Sequence, residues 1–270
     1  MSGIFKAYDV RGIVPAEINE EIARRIGLAF QLVLDADDRA LGNTVVVSRD
    51  MRSHSAPLAQ ALIEGLTAGG LDVQDIGLAT TPMNYFAIGH TRAAGGVQVT
   101  ASHNPAQYNG FKLSRHGARP VSGDHGIPLL EQKVAAGDLP RAEKPGTVSH
   151  GSVFEDYRSH VLSFLKEPEV GARKLKVVVD AANGMGTLYR PILEATGIEL
   201  TPLYFELDGT FPNHEANPLK EENLRDLEAK VKETGADLGV AFDGDADRAA
   251  LIDEHGEAVG SDLMVGVITG

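Results

Sequence analysis

The 270-residue sequence contains no cysteine, which excludes a disulfide framework and any thiol chemistry. No apolar run approaches the about 20 residues that span a bilayer, and Met1 to Phe5 lacks the apolar core of a secretory leader. A cytoplasmic location is the expectation. Positive charge is in deficit, with 25 Lys and Arg against 38 Asp and Glu and a formal net charge of −13. That balance argues against nonspecific binding to nucleic acid or to an anionic membrane. The oligomeric state stays open between monomer and homodimer.

The chain does have the 43% hydrophobic and 23% charged content of a globular protein, at a length suited to one large or two ordinary domains. Strands and helices alternate along it. Phe5–Val10 reads as a strand. Ile22, Ile26, Ala29, Phe30 and Val33 recur at helical spacing over Glu20–Leu34. Thr44–Ser48, with three valines in a row, reads as a buried strand, and Ser55 and Pro57 open a helix carrying Leu58, Leu62 and Leu66. Leu71–Ile76 follows as a strand, Thr81 to about His90 as a helix, and Gly96–Thr100 and Gly110–Leu113 as strands. Prolines and glycines between about Gly137 and Gly151 place a domain boundary there. The pattern then restarts, with helices at Phe154–Leu165, Gly184–Thr196 and Glu221–Thr234. Strands are expected at Lys176–Asp180, Ile198–Leu203 and Leu238–Phe242. Ala249–Asp253 and Glu257–Gly260 suggest a hairpin, and Leu263–Thr269 begins a further apolar element. Such alternation predicts α/β domains built on mixed, parallel-rich sheets, with functional groups at the carboxyl ends of the strands.

Two clusters carry chemistry. The first is Val99-Thr100-Ala101-Ser102-His103-Asn104-Pro105, which sets one serine on a tight loop after an apolar strand. Exposed there, its hydroxyl can act as a nucleophile or carry a phosphoryl group. His103 and Lys112 are near enough in sequence to move a proton or neutralise phosphate. An arbitrary loop serine more often just caps a turn. The Gly-x-Ser-x-Gly elbow of serine hydrolases is absent.

The second cluster is Asp243-Gly244-Asp245-Ala246-Asp247-Arg248, placed directly after an apolar strand. From an extended loop the three alternating carboxylates can converge as hard oxygen ligands suited to Mg²⁺; without a cation they repel one another. A solvated acidic turn is the plainer alternative. An EF-hand starting at Asp243 would need glycine where Arg248 stands and flanking helices where strands are expected. A phosphorylated Ser102 together with the three aspartates makes a workable Mg²⁺ phosphoryl-transfer site.

Supporting loops hold basic residues. Arg11, in Asp9-Val10-Arg11-Gly12, can grip a phosphate or form a surface ion pair. Ser48-Arg49-Asp50-Met51-Arg52 adds two guanidinium groups at the same sheet edge. Asn183-Gly184-Met185-Gly186 lacks the third glycine of a dinucleotide site and reads as a tight turn. His214, Asn217 and Pro218 show no assignable chemistry.

Taken together, these segments resemble the α-D-phosphohexomutases, and within them the bacterial phosphomannomutase/phosphoglucomutase type. The resemblance runs through Phe5–Gly12, Thr100–Pro105, Tyr108–Leu113, Gly117–Asp124, Phe211-Pro212-Asn213, Asn217-Pro218 and Ala241–Arg248. It implies that Ser102 is the phosphoserine, and that Asp243, Asp245 and Asp247 bind Mg²⁺ with a phosphate oxygen on Ser102. It also implies that Arg11, His103, Lys112 and Arg248 surround the phosphoryl group, with Lys112 as candidate general acid/base. The implied reaction moves phosphate between O6 and O1 of a mannose or glucose phosphate through a hexose 1,6-bisphosphate, which also serves as activator. On this resemblance residues 1–150 form a first domain with the serine loop, 151–253 a second with the metal loop, and 254–270 a truncated start of a third. The sugar- and phosphate-recognition domains would then be missing. Two alternatives follow: an inactive metal-binding fragment, or a Mg²⁺-dependent sugar-phosphate phosphatase.

Overall fold

The computed structural model of the chain describes residues 3–165, 173–260 and 262–264. Its internal contacts separate two units, Met1–Ala101 with Ala106–Tyr157, and Ser102–Pro105 with Arg158–Gly270. Each contains its own mixed sheet.

The first unit begins with β1 (Val10–Ile13) and α1 (Glu20–Phe30). The strand expected at Phe5–Val10 is displaced. Lys6 N–H bonds to Asp9 O in a turn, so Phe5 only bridges back to Val10 and pairing starts there. Asn19 caps α1 by accepting from Ile22 N–H. The helix stops short of the expected Leu34, because Leu32 and Val33 bond three residues back and tighten the last turn. Next come β2 (Thr44–Arg49), α2 (Ser55–Ala68), β3 (Asp72–Leu78), α3 (Thr81–His90) and β4 (Gly95–Val99). Thr80 caps α3 and Pro82 occupies its first turn, where a missing N–H costs nothing. β5 (Tyr108–Arg115), β6 (Arg119–Pro120), α4 (Ile127–Ala136) and β7 (Val148–His150) complete the unit.

The order in its sheet is β1-β5-β4-β2-β3-β7, with β6 on β5. The run β4-β2-β3-β7 is parallel, and β5 is antiparallel to both β4 and β1. The segment expected to be loose up to Gly151 therefore ends in an edge strand. α4 and β6 were not anticipated. The buried valines 45 and 47 of β2, with Val97, Phe111, Phe30, Leu62 and Leu66, anchor the core.

In the second unit α5 (Phe154–Leu162), across which the partition falls, precedes β8 (Lys176–Asp180). The helix expected over Gly184–Thr196 is divided. A 3₁₀ turn spans Met185–Tyr189, and α6 (Arg190–Ala195) starts where Pro191 fits the first turn. β9 (Glu199–Leu203), α7 (Arg225–Thr234), β10 (Leu238–Phe242) and β11 (Ala249–Ile252) follow. The order is β11-β10-β8-β9, parallel except for β11. Val178, Leu227, Val231, Ala241 and Ile252 form its core. The return strand expected at Glu257–Gly260 is reduced to one bridge, Ile252 to Ala258. Most of the element expected over Leu263–Thr269 lies outside the described residues. No described helix is long and apolar enough to cross a membrane.

The parallel strands dictate where chemistry collects. Ser102 lies just past the carboxyl end of β4, Asp180 ends β8, and Asp243 follows β10.

Candidate active site

β10 delivers Asp243 into a turn that returns as β11, and the turn is built around that carboxylate. Asp243 Oδ1 accepts from the backbone N–H of Asp247 and of Arg248, both at 3.1 Å. Its Oδ2 accepts from Arg248 Nε at 3.1 Å and from Ser102 Oγ at 2.8 Å. Ala246 takes a left-handed conformation, φ +58°, to close the turn. The loop is thus tightly turned rather than extended, yet it achieves the convergence expected of it. One carboxylate oxygen from each of Asp243, Asp245 and Asp247 lies within 4.8 Å of the others.

Asp243 and Asp245 are buried and Asp247 is exposed. Burial, followed by the charges of Asp245 and Asp247, pushes the Asp243 carboxyl up to about 7, against the opposing pull of Arg248 and the Ser102 hydroxyl. A cluster of this kind has an excess of negative charge and a surplus of hard oxygen donors. Both fit Mg²⁺, which takes oxygen ligands and keeps places for water or phosphate oxygens.

Ser102 is buried, with only 1% of its surface accessible, instead of exposed as its loop position suggested. Its Oγ accepts from Arg248 Nη2 at 2.6 Å while donating to Asp243. Arg248 Nη2 also meets His103 Nδ1, which lies 3.4 Å from Ser102 Oγ. The serine itself is left-handed, φ +52°, a conformation that costs about 1–3 kcal/mol and persists only where surrounding structure enforces it. Gly244 supplies part of that enforcement. A Cβ there would sit 2.4 Å from Ser102 O, so only glycine admits this approach.

Ser102, His103, Asp243, Asp245, Asp247 and Arg248 therefore come together within the second unit. Arg11 and Lys112 belong to the first. There Arg11 pairs opposite Gly110, and Lys112 opposite Gln98, so the register sets Arg11 and Lys112 on one face of the sheet. Arg11 is ion-paired with Asp9. Arg52, one of the two guanidinium groups expected at the sheet edge, is fully buried beside Asp50, its side chain 0% exposed.

Sequence reasoning passed over a second layer beneath the aspartate loop. The Asn183–Gly186 turn is indeed tight, but it also butts against that loop: Met185 N–H donates to Gly244 O at 2.9 Å, and Gly184 approaches the Gly244 backbone. Asp180 holds the turn by accepting from Ala182 N–H at 2.8 Å, and its other oxygen meets His214 Nε2 at 2.9 Å. The signal available was the unusual pairing of a buried strand ending in Asp180 with a glycine-bearing turn.

Known proteins resemble this chain along nearly its whole length. The family described as phosphoglucomutase/phosphomannomutase, alpha/beta/alpha domain I, matches residues 2–140, and its domain II matches residues 155–256. A protein of Xanthomonas campestris pv. campestris named "Phosphohexose mutases" is 44% identical over 98% of this chain and 57% of its own length. A phosphomannomutase/phosphoglucomutase of Pseudomonas syringae pv. tomato is 41% identical over 97% of this chain and 54% of its own. A crystal structure of a phosphoglucomutase/phosphomannomutase family protein from Burkholderia thailandensis superposes with a TM-score of 0.89 at 36% identity, covering 99% of this chain and 58% of that one. The chain spans somewhat over half the length of these relatives. With both domain descriptions matched in order, and the serine and aspartate loops lying inside them, the chain belongs to the phosphoglucomutase/phosphomannomutase family.

Proposed function

We propose that the chain carries the phosphoryl-transfer machinery of a phosphohexomutase that interconverts the 1- and 6-phosphates of mannose or glucose. The observation that carries this reading is the position of Ser102 Oγ, 2.8 Å from Asp243 and 2.6 Å from Arg248. A hydroxyl held between a carboxylate and a guanidinium is set to exchange its proton for a phosphoryl group whose oxygens the guanidinium can grip.

Asp243, Asp245 and Asp247 would hold Mg²⁺, together with an oxygen on phosphorylated Ser102. That cation would supply electrostatic stabilisation of the transferring group. Arg248 and His103 orient the phosphate on Ser102. Lys112, our candidate general acid/base, moves the proton of the accepting sugar hydroxyl, and Arg11 adds positive charge for the anionic substrate. Phosphoserine gives its phosphoryl group to a hexose phosphate, producing a hexose 1,6-bisphosphate. After the sugar turns over, Ser102 Oγ takes back the other phosphate. The added bisphosphate activates by charging Ser102. A cysteine-free, acidic enzyme acting on sugar phosphates fits the cytoplasm.

The test is an assay with mannose 1-phosphate or glucose 1-phosphate, Mg²⁺ and a trace of glucose 1,6-bisphosphate, with the mass of Ser102-containing peptides followed in parallel. Phosphate is expected on Ser102, and Ser102→Ala is expected to lower isomerisation by roughly 10³-fold or more. Full isomerisation by the alanine variant would overturn the carrier role. Net release of free phosphate without isomerisation would point to a phosphatase.

A further inference from the structure

We propose that a buried polar network centred on Asp50, with Arg52, His54 and Ser55, positions the Ser102 loop by clamping both of its stems. The inference rests on the reading of Ser102 as phosphoryl carrier, and it concerns residues to which that reading gives no role.

Asp50 follows β2, and its N–H bonds to Val99 O at the end of β4. Asp50 and Arg52 form an ion pair at 3.1 Å with both side chains 0% exposed. A buried charge pair is a weak source of stability, because desolvation offsets most of the attraction. The destinations of its remaining hydrogen bonds are therefore informative. On the incoming stem, Thr100 Oγ1 donates to Asp50 Oδ2 at 2.7 Å. On the outgoing stem, Arg52 Nη1 donates to Tyr108 O at 3.0 Å, and His54 Nε2 lies 3.0 Å from Ala106 O. Asn109 Nδ2 reaches Ser55 Oγ and His54 Nδ1, each at 2.8 Å, and Ser55 Oγ donates to Asp50 Oδ1.

These bonds agree with one another chemically. Burial, helped by the Arg52 cation, lowers the His54 pKa, favouring the neutral ring. A neutral ring with its proton on Nε2 donates to Ala106 O and accepts from Asn109 at Nδ1. The stems are also tied directly, Thr100 N–H to Gly110 O at 3.0 Å. At Gly110 a Cβ would sit 2.1 Å from Val10 O, so the backbone is locked there as well. Between the clamped stems stands Ser102 in its left-handed conformation, which needs such outside enforcement. Asp50 and Arg52 thus act through Thr100 and Tyr108 on the loop; they are positioning residues.

The test compares Thr100→Val, which removes the donor to Asp50, with Thr100→Ser, which keeps it. Two measurements are made on each: amide hydrogen exchange across residues 101–107 against β2, and transfer of labelled phosphate to Ser102 from glucose 1,6-bisphosphate with Mg²⁺. For Thr100→Val we expect loop exchange to rise by about tenfold with β2 unchanged. The saturating rate of labelling should fall roughly 10–100-fold at an unchanged half-saturating donor concentration, the signature of a misplaced rather than an unbound reactant. Thr100→Ser should restore both to within about twofold. Wild-type exchange and labelling in Thr100→Val, or a serine variant as impaired as the valine one, would overturn the proposal. If wild-type protein takes no label, the carrier reading fails, and the exchange comparison alone decides the positioning role. Should Thr100→Val not fold, Arg52→Lys, which keeps the charge beside Asp50 but replaces the two separate nitrogens that reach Asp50 and Tyr108 O with a single one, carries the same two measurements with the same expectations.

Discussion

At Asp180 the chain buries a carboxylate completely, and His214, itself largely buried, answers it at 2.9 Å. Burial on its own depresses the His214 pKa, but the hydrogen bond and charge of Asp180 outweigh it, so the net shift is upward. Tyr204 packs its ring against His214 at 5.4 Å and donates to Asp226, which adds a more distant negative charge. The pair matters beyond its own energy because Asp180 also holds Ala182, one of two successive left-handed residues in the turn that supports Gly244. A histidine with a raised folded-state pKa contributes stability that is fully present below its unfolded value near 6.5. That contribution is lost as pH rises through the folded value. His214→Gln keeps a hydrogen-bonding side chain but removes the charge. Urea unfolding should show it less stable than wild type by about 1–3 kcal/mol at pH 6, with a smaller gap at pH 9. Equal gaps at the two pH values would show that the protonated pair adds nothing.

Among the elements, α1 and α2 pack by backbone. A Cβ on Gly27 would lie 2.3 Å from Leu62 O, and one on Gly65 would lie 2.1 Å from Arg24 O. Neither neighbour is a flexible side chain, so the helices must separate to admit a methyl group. Alanine gains about 1 kcal/mol in helix propensity over glycine, while overpacking costs about 1–3 kcal/mol. Gly27→Ala should therefore lower the unfolding free energy, by up to about 2 kcal/mol. Gly89→Ala, in α3 with open space around it, should be neutral or stabilising. Denaturant midpoints of the two variants check this; a stabilised Gly27→Ala would mean that the helices part freely. The same scale shows what the sequence could tell. α3, β8 and β10 have the predicted bounds because caps, proline and short apolar runs act locally. α4 is equally legible in Ile127, Leu130 and Val134, with Pro128 near its start and Gly137 after its end, although a stretch with Pro140 and Pro145 follows it. The displaced β1 was not legible, since its start is set by pairing with Phe111 on β5.

For the whole molecule, what could be read was chemistry that is contiguous in sequence. Ser102 with His103, and the three aspartates with Arg248, announced themselves because a strand end and a turn carry all their members. The burial of Ser102, the Asp180–His214 pair and the Asp50 network each join segments far apart in the chain, and no single segment shows which partners it meets. The charge balance was legible too, and it meets the aspartate loop in one prediction. A chain of net charge −13 that gathers three carboxylates in a turn is stabilised by anything that binds the folded turn. At a hundredfold excess over its dissociation constant, Mg²⁺ should add about 2.7 kcal/mol to the unfolding free energy. General screening also favours an acidic protein, so the comparison must be made at matched ionic strength. With wild-type chain, MgCl₂ should raise the thermal midpoint beyond NaCl of equal ionic strength. With Asp245→Asn the two salts should act nearly alike, because one hard ligand and one charge are gone while the fold of the turn, which Asp243 organises, is kept. Identical salt responses in wild type and variant would mean that the three carboxylates hold no cation.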